Sequence, residues 1–236
     1  MLPSPRANGR VGVDQQTKKE AAAQAALDLV RPLLGPDVII GVGTGSTANC
    51  FIDALVASGA PLRAAVASSE ATAARLAAGG IEVIDATVAG PLRVYVDGAD
   101  EAGPDLSLIK GGGGALTREK IVAAASEQFV CIVDDSKCVD ELGAFPLPIE
   151  VIPMAEGHVR RRLEAFGGRP KRRPGFVTDN GNLIIDVEGL DLGHPQAMER
   201  RLNDVVGTVC NGLFAMRGAD VLVVAWDDGV SVRTRS

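Results

Sequence analysis

The sequence predicts an α/β protein: a Rossmann-like, mostly parallel sheet flanked by helices, joined to a second, smaller α+β domain of split βαβ, ferredoxin-like order. Three observations carry this expectation. Short β-branched runs alternate with alanine-rich helical stretches as far as Val133, and such alternation implies parallel strands linked by helical crossovers. The stretch FPLPIEVIPMA, residues 145–155, then breaks the rhythm with three prolines. Beyond it the element order changes to β-α-β-β-α-β.

Taken in order, residues 1–16 read as a flexible tail, because Pro3, Pro5, Asn8, Gly9 and Gly12 break any period. Thr17 to Leu34 is alanine-rich with leucines and valine on one helix face, and Pro36 stops it. A buried strand follows at Val38 to Val42, then a helix at Thr47–Val56, a strand at Leu62–Ala67 and a helix at Glu70–Ala78. Strands at Glu82–Ile84 and Leu92–Val96 precede a glycine-rich segment, a helix from Leu116 to Ser126 and a strand at Phe129–Val133. In the second grammar, Ile149–Ile152 is the first strand and His158–Phe166 a helix. Asp179-Asn-Gly-Asn182 is a hairpin turn, Pro195–Val205 a helix and Val209–Phe214 a strand. The run Val221–Ala225 resembles a buried parallel strand that returns to the first sheet. The main α/β domain is thus expected over 17–146 and 219–236, and the smaller one over 147–218.

Composition narrows the function. The 236 residues are 46% apolar and 23% charged, which is globular usage. With 24 basic against 30 acidic groups the net charge is −6, and aromatics are only 3%. That balance disfavours nucleic acid and anionic membranes as partners, so an anionic substrate needs a local basic pocket. Cys50, Cys131, Cys138 and Cys210 form no C-x-x-C pair and only His158 and His194 could join them, which argues against zinc. No apolar run is long enough to span a bilayer and the start lacks a signal-peptide core, so a cytoplasmic protein with free thiols is expected.

Ligands of parallel sheets sit beyond the carboxyl ends of the strands, and four stretches lie at such places. In Gly41-Val-Gly-Thr44-Gly45-Ser46-Thr47, backbone N–H groups and hydroxyls can converge on an anion at a helix N-terminus; the alternative is that Ser46 or Thr47 merely caps that helix. It is neither a dinucleotide fingerprint nor a P-loop. Asp97-Gly98-Ala99-Asp100-Glu101 ends a strand with three carboxylates, suited to polyol hydroxyls when a cation lies near. Glu101 reads as an exposed turn residue. Lys110-Gly111-Gly112-Gly113-Gly114 has the make-up of an anion-cradling nest with a full positive charge beside it.

Glu119 stands early in the following helix, where the dipole favours a carboxylate with or without chemistry. Desolvation would have to outweigh that dipole for it to work as a base near neutrality. Lys137, in Asp134-Asp-Ser-Lys137, and Lys19 in the first helix could each reach a phosphate. The clusters Arg160–Arg162 and Lys171–Arg173 read as solvated faces.

Together these stretches resemble ribose-5-phosphate isomerases of the A type. The matching text is GVGTGSTA, VDGADE, IKGGGGALTREK, DDSK, FPLPIEVIPMA, GGRP, VTDNGN and GLFAMRGADV, in that order, over nearly all the chain from Lys18 onward. The resemblance implies an aldose–ketose isomerase that interconverts D-ribose 5-phosphate and D-ribulose 5-phosphate through a cis-enediol, in the non-oxidative pentose phosphate pathway, without metal or organic cofactor. It implies Glu119 as the proton-carrying base. Thr44 to Thr47, Asp97 to Asp100, Lys110 to Gly113 and Lys137 would line the substrate, with Lys19 as the better match than Lys18 for the first-helix lysine. A homodimer or homotetramer is also implied. Two rivals share the scaffold: a non-catalytic sugar-phosphate sensor, and a deaminating or acyl-CoA-transferring enzyme. The first sixteen residues are too short for the DNA-binding segment of the sensor, and the K-G-G-G…T-R-E-K set argues against the second.

Overall fold

The computed structural model describes residues 13–235. Residues 1–12 of the expected tail lie outside the described residues. Helix α1 (Gln15–Val30) begins two residues earlier than the alanine pattern suggests, because the Asp14 carboxylate accepts the Thr17 N–H at 3.0 Å and caps it. There follow β1 (Gly35–Val42), α2 (Ser46–Ser58), β2 (Leu62–Ala67), α3 (Glu70–Ala78) and a single turn, α4 (Ala86–Ala89). Strands β3 (Tyr95–Asp97), β4 (Glu101–Ala102) and β5 (Leu108–Ile109) lead to α5 (Leu116–Ala124) and β6 (Phe129–Asp134). The expected strand at Glu82–Ile84 shrinks to one bridge, Ala65 to Val83, because Asp85 turns the chain at once into α4.

Six strands form the main sheet in the order β13-β12-β6-β3-β1-β2, with β12 (Val221–Trp226) and β13 (Gly229–Thr234) added from the end of the chain. All its pairings are parallel except β12 with β13. Alternation along each strand feeds two cores. Val94, Val96, Val130 and Ile132 meet Leu27, Phe51 and Ile52 of α1 and α2 on one face. Tyr95, Phe129, Cys131 and Val133 meet Val122 and Ala123 of α5 on the other. Because β6, β3 and β1 are neighbours, the loops that leave their carboxyl ends, at 134–137, 97–100 and 43–47, emerge side by side.

The second sheet uses β7 (Leu147–Val151), β8 (Arg169–Arg172), β9 (Leu183–Glu188) and β10 (Thr208–Asn211) in the order β10-β7-β9-β8, wholly antiparallel. Helices α6 (Glu156–Ala165) and α7 (Pro195–Asn203) bury Val159, Leu163, Met198 and Leu202 against it. This is the expected split βαβ order. The β8–β9 connection is longer than a tight hairpin, and Asp179-Asn180 is only its final turn. The strand expected at Val209–Phe214 divides at Gly212. Its N–H turns to the Pro148 carbonyl and its own carbonyl accepts the Lys110 N–H, so β11 (Leu213–Phe214) leaves the small sheet and joins β5 and β4 in a three-stranded one.

Candidate active site

A cavity of about 160 Å³ opens where those strand ends converge. Its walls include Thr44 to Thr47, Gly98 to Asp100, Lys110 to Gly113, Glu119, Lys137 and Lys19. Four loops separated by up to a hundred residues therefore meet in one place. Gln15 also lines the cavity, a residue the sequence reading placed in the tail.

Asp97 is the exception. It is 0% exposed and sits beneath the cavity, where Oδ1 accepts the N–H of Thr44 (3.0 Å) and Gly98 (2.7 Å). Its Oδ2 accepts from the Tyr95 hydroxyl and from Lys110 Nζ, the latter at 2.6 Å. Four donors occupy the roughly four acceptor positions of a carboxylate. Asp97 thus has no oxygen free for a sugar hydroxyl, contrary to the sequence expectation, and it acts on the site through Lys110. Asp100 is the carboxylate of this turn that faces the cavity, with Oδ2 accepting the Gly112 N–H at 2.7 Å.

The Lys110 side chain is 3% exposed, its ammonium bonded to Asp97 and the Gly98 carbonyl and lying 5.5 Å from the Phe214 ring centre. Burial works against its charge, but Asp97 and Glu119 outweigh burial and hold the ammonium above the ordinary lysine range. Glu119 is reached from the other side by α5. Its Oε2 lies 3.4 Å from Lys110 Nζ, yet this buried oxygen accepts no hydrogen bond. Burial, opposed by Lys110 and reinforced by Asp97 and Asp100, raises the carboxyl to about 8. Desolvation has outweighed the helix dipole, the condition a base near neutrality requires.

In the lining of the same cavity, Gly45 leads into α2 at φ +121°, and no side chain caps the helix. The uncapped first-turn N–H groups and the exposed Ser46 hydroxyl remain available to an anion. That decides against the capping alternative for Ser46 and Thr47. The Thr44 hydroxyl, in contrast, turns away into a cluster with Ser68, Ser69 and Thr72, so Thr44 offers the cavity little beyond its backbone. Lys18 is bound to Asp135 and Asp227 at 2.8 and 2.7 Å, which leaves Lys19 as the first-helix lysine on the cavity wall.

Two acidic and basic residues differ from their sequence reading. Glu101, expected in an exposed turn, is 3% exposed and accepts the N–H groups of Gly143 and Phe145, pinning the 139–146 loop. Arg173, expected on a solvated face, forks onto Asp186 and donates to the carbonyls of Gly111 and Gly112. Among the described residues no helix is long and apolar enough to cross a membrane, and no group of three or more His, Cys, Asp or Glu is arranged to hold a metal ion.

A desolvated carboxylate beside a fixed ammonium, sharing a small polar cavity with an uncapped helix end, suits an enzyme that shifts a proton within an anionic substrate. The family profile of ribose 5-phosphate isomerase A (phosphoriboisomerase A) matches residues 64–229. The ribose-5-phosphate isomerase A of Bordetella bronchiseptica is 56% identical over 92% of this chain and 96% of its own. Among solved structures, ribose 5 phosphate isomerase A from Neisseria gonorrhoeae superposes with a TM-score of 0.91 at 43% identity, covering 95% of this chain and 99% of that one. A D-ribose-5-phosphate isomerase in complex with phospho-erythronic acid gives 0.89 at 35% identity, over 94% and 100%. The chain belongs to the ribose 5-phosphate isomerase A family and is an isomerase.

Proposed function

We propose that this isomerase interconverts D-ribose 5-phosphate and D-ribulose 5-phosphate, with Glu119 as the base that carries a proton between C2 and C1. The observation that carries this reading is the buried, raised-pKa Glu119 carboxylate, whose unbonded Oε2 sits 3.4 Å from Lys110 Nζ in the cavity wall. On this reading Glu119 removes the C2 proton of the open-chain aldose and returns it to C1. The negative charge that develops on the enediolate oxygens is received by the Lys110 ammonium and the glycine-loop amides, which are in place before the reaction begins. Asp97 keeps Lys110 charged and fixed. Asp100 holds a sugar hydroxyl and assists ring opening, which must precede chemistry because the furanose has no aldehyde. Ser46, Thr47, the amides at the start of α2, Lys19 and Lys137 take the phosphate, and Thr44, Gly45, Gly98 and Ala99 shape the wall between the two ends.

The reading extends to a cytoplasmic enzyme of the non-oxidative pentose phosphate pathway that needs no metal or organic cofactor and works as a homodimer or homotetramer. Exposed Ile152, Met154 and Val206 at one end of the small sheet support assembly of copies. Isomerisation of ribose 5-phosphate, followed with a chelator present, tests the function. Sustained turnover supports the metal-free isomerase, whereas tight binding without turnover would point to the sensor.

A further inference from the structure

We infer that Arg173, on the connection after β8, is a positioning residue of the glycine loop: it holds the carbonyls of Gly111 and Gly112 so that the Gly112 N–H meets Asp100 and the Gly113 N–H is presented to the substrate. The inference rests on the isomerase reading of the site and assigns a part of its machinery to the small sheet.

The guanidinium is itself fixed. Its Nε and Nη2 reach the two oxygens of Asp186 at 2.9 and 2.6 Å, a fork only arginine can make, and its Cζ lies 5.3 Å from the Phe176 ring centre. The remaining donors point into the glycine loop: Nη1 to the Gly112 carbonyl at 3.0 Å, and Nη1 and Nη2 to the Gly111 carbonyl at 3.4 Å. In a trans peptide the C=O and the following N–H point in opposite directions. With the Gly111 carbonyl turned to Arg173, the Gly112 N–H is turned to Asp100 Oδ2 at 2.7 Å. With the Gly112 carbonyl also turned there, the Gly113 N–H is directed to the other side of the loop, where Gly113 lines the cavity.

Glycine explains why an external clamp is needed. Gly111 and Gly114 adopt φ of +101° and +83°, and a run of glycines has many other backbone states open to it. Without a partner for these carbonyls, the Gly111–Gly112 peptide can flip away from Asp100, and the Gly112–Gly113 peptide can point oxygen rather than N–H at the developing oxyanion. The Gly111 carbonyl has one further partner, the Gly114 N–H at 2.8 Å, so the loop's own turn covers only part of the constraint.

The test compares Arg173→Lys, Arg173→Ala and Asp186→Asn with the parent enzyme, once parent turnover on ribose 5-phosphate has been measured. A silent parent sinks the isomerase reading, whereas an active parent with indifferent variants sinks only this inference. A loop misplaced by about 1 Å lowers turnover on the order of 10²-fold. Arg173→Lys, which keeps the charge and loses the fork, is therefore expected to lower kcat by ~10²-fold with KM changed less than about threefold. Inhibition by phospho-erythronic acid, whose carboxylate mimics the enediolate oxygens, should weaken in step with kcat. Added guanidinium ion should restore part of the Arg173→Ala activity, and sodium chloride at equal ionic strength should not. Asp186→Asn should fall between. Variants that melt with the parent and keep kcat within about twofold overturn the inference. So does a loss carried by KM alone with inhibitor affinity unchanged, since a general structural role would leave kcat and the inhibitor uncoupled.

Discussion

Replacing Glu119 by glutamine should slow the enzyme and, at alkaline pH, stabilise it. The carboxyl is 3% exposed and burial, reinforced by Asp97 and Asp100 against Lys110, raises it to about 8 from an ordinary 4.5. A carboxyl raised on folding binds its proton more tightly in the native state. Its contribution to stability is therefore fully present below the unfolded value and is lost as pH rises through the folded one. Three pH units between 5 and 8, at about 1.4 kcal/mol each, set a ceiling of roughly 4 kcal/mol on that loss. Half of it moves Tm by about 4–8 °C in a chain of this length. Glutamine keeps the shape and never ionises, so the Tm difference between Glu119→Gln and the parent should widen in the variant's favour by several degrees from pH 5 to 8.5. Loss of the base should lower kcat by about 10²–10⁴-fold with KM nearly unchanged. Thermal melts at the two pH values and steady-state kinetics give both readings. A Tm difference that ignores pH would falsify the buried-charge argument, and near-parental turnover in the folded variant would remove Glu119 from the chemistry.

Because the base must be ionised to act, kcat/KM should climb from pH 6, reach about half its plateau near 8, where burial has set Glu119, and level off above about 9; a flat profile between 6 and 9 contradicts this. Thr47→Ala should raise KM by roughly tenfold, the loss of a hydrogen bond to a charged group, with kcat within about threefold. An unchanged KM moves the phosphate elsewhere. Gly43→Ala should all but abolish activity and lower stability by about 3 kcal/mol, because its Cβ would stand 1.9 Å from the Asp97 carboxyl that fixes Lys110. Normal melting and turnover for that variant would show that Asp97 has room to move.

The main sheet and the catalytic loops were legible because each signal was local. GTGST, DGAD and DDSK mark strand ends by turn residues alone, and neighbouring parallel strands bring such ends together without further information. What sequence could not assign was the direction in which a side chain points. Asp97 and Asp100 read alike in the string, yet one is consumed below the cavity and the other faces it. Arg173 sits in a basic run, and its partners at Gly111 and Gly112 lie 62 and 61 residues away. Glu101 hid for the same reason, its two donors being loop amides 42 and 44 residues downstream. Strands β4, β5 and β11 are two residues long, too short for any period to show. Strand β13, in contrast, had a usable signal: Asp227-Asp-Gly229 ahead of the alternating Val230-Ser-Val232 is a hairpin pattern.

Gly212 supplies the carbonyl that anchors the Lys110 amide, and Phe214 lies near its ammonium. The segment that departs at Leu147 and comes back at Leu213 is therefore not an exchangeable module. A chimera that borrowed this segment from a distant relative would import the backing of the lysine and the grip on the glycines along with it. Recombination breakpoints in such hybrids should succeed only where donor and recipient agree on both seams.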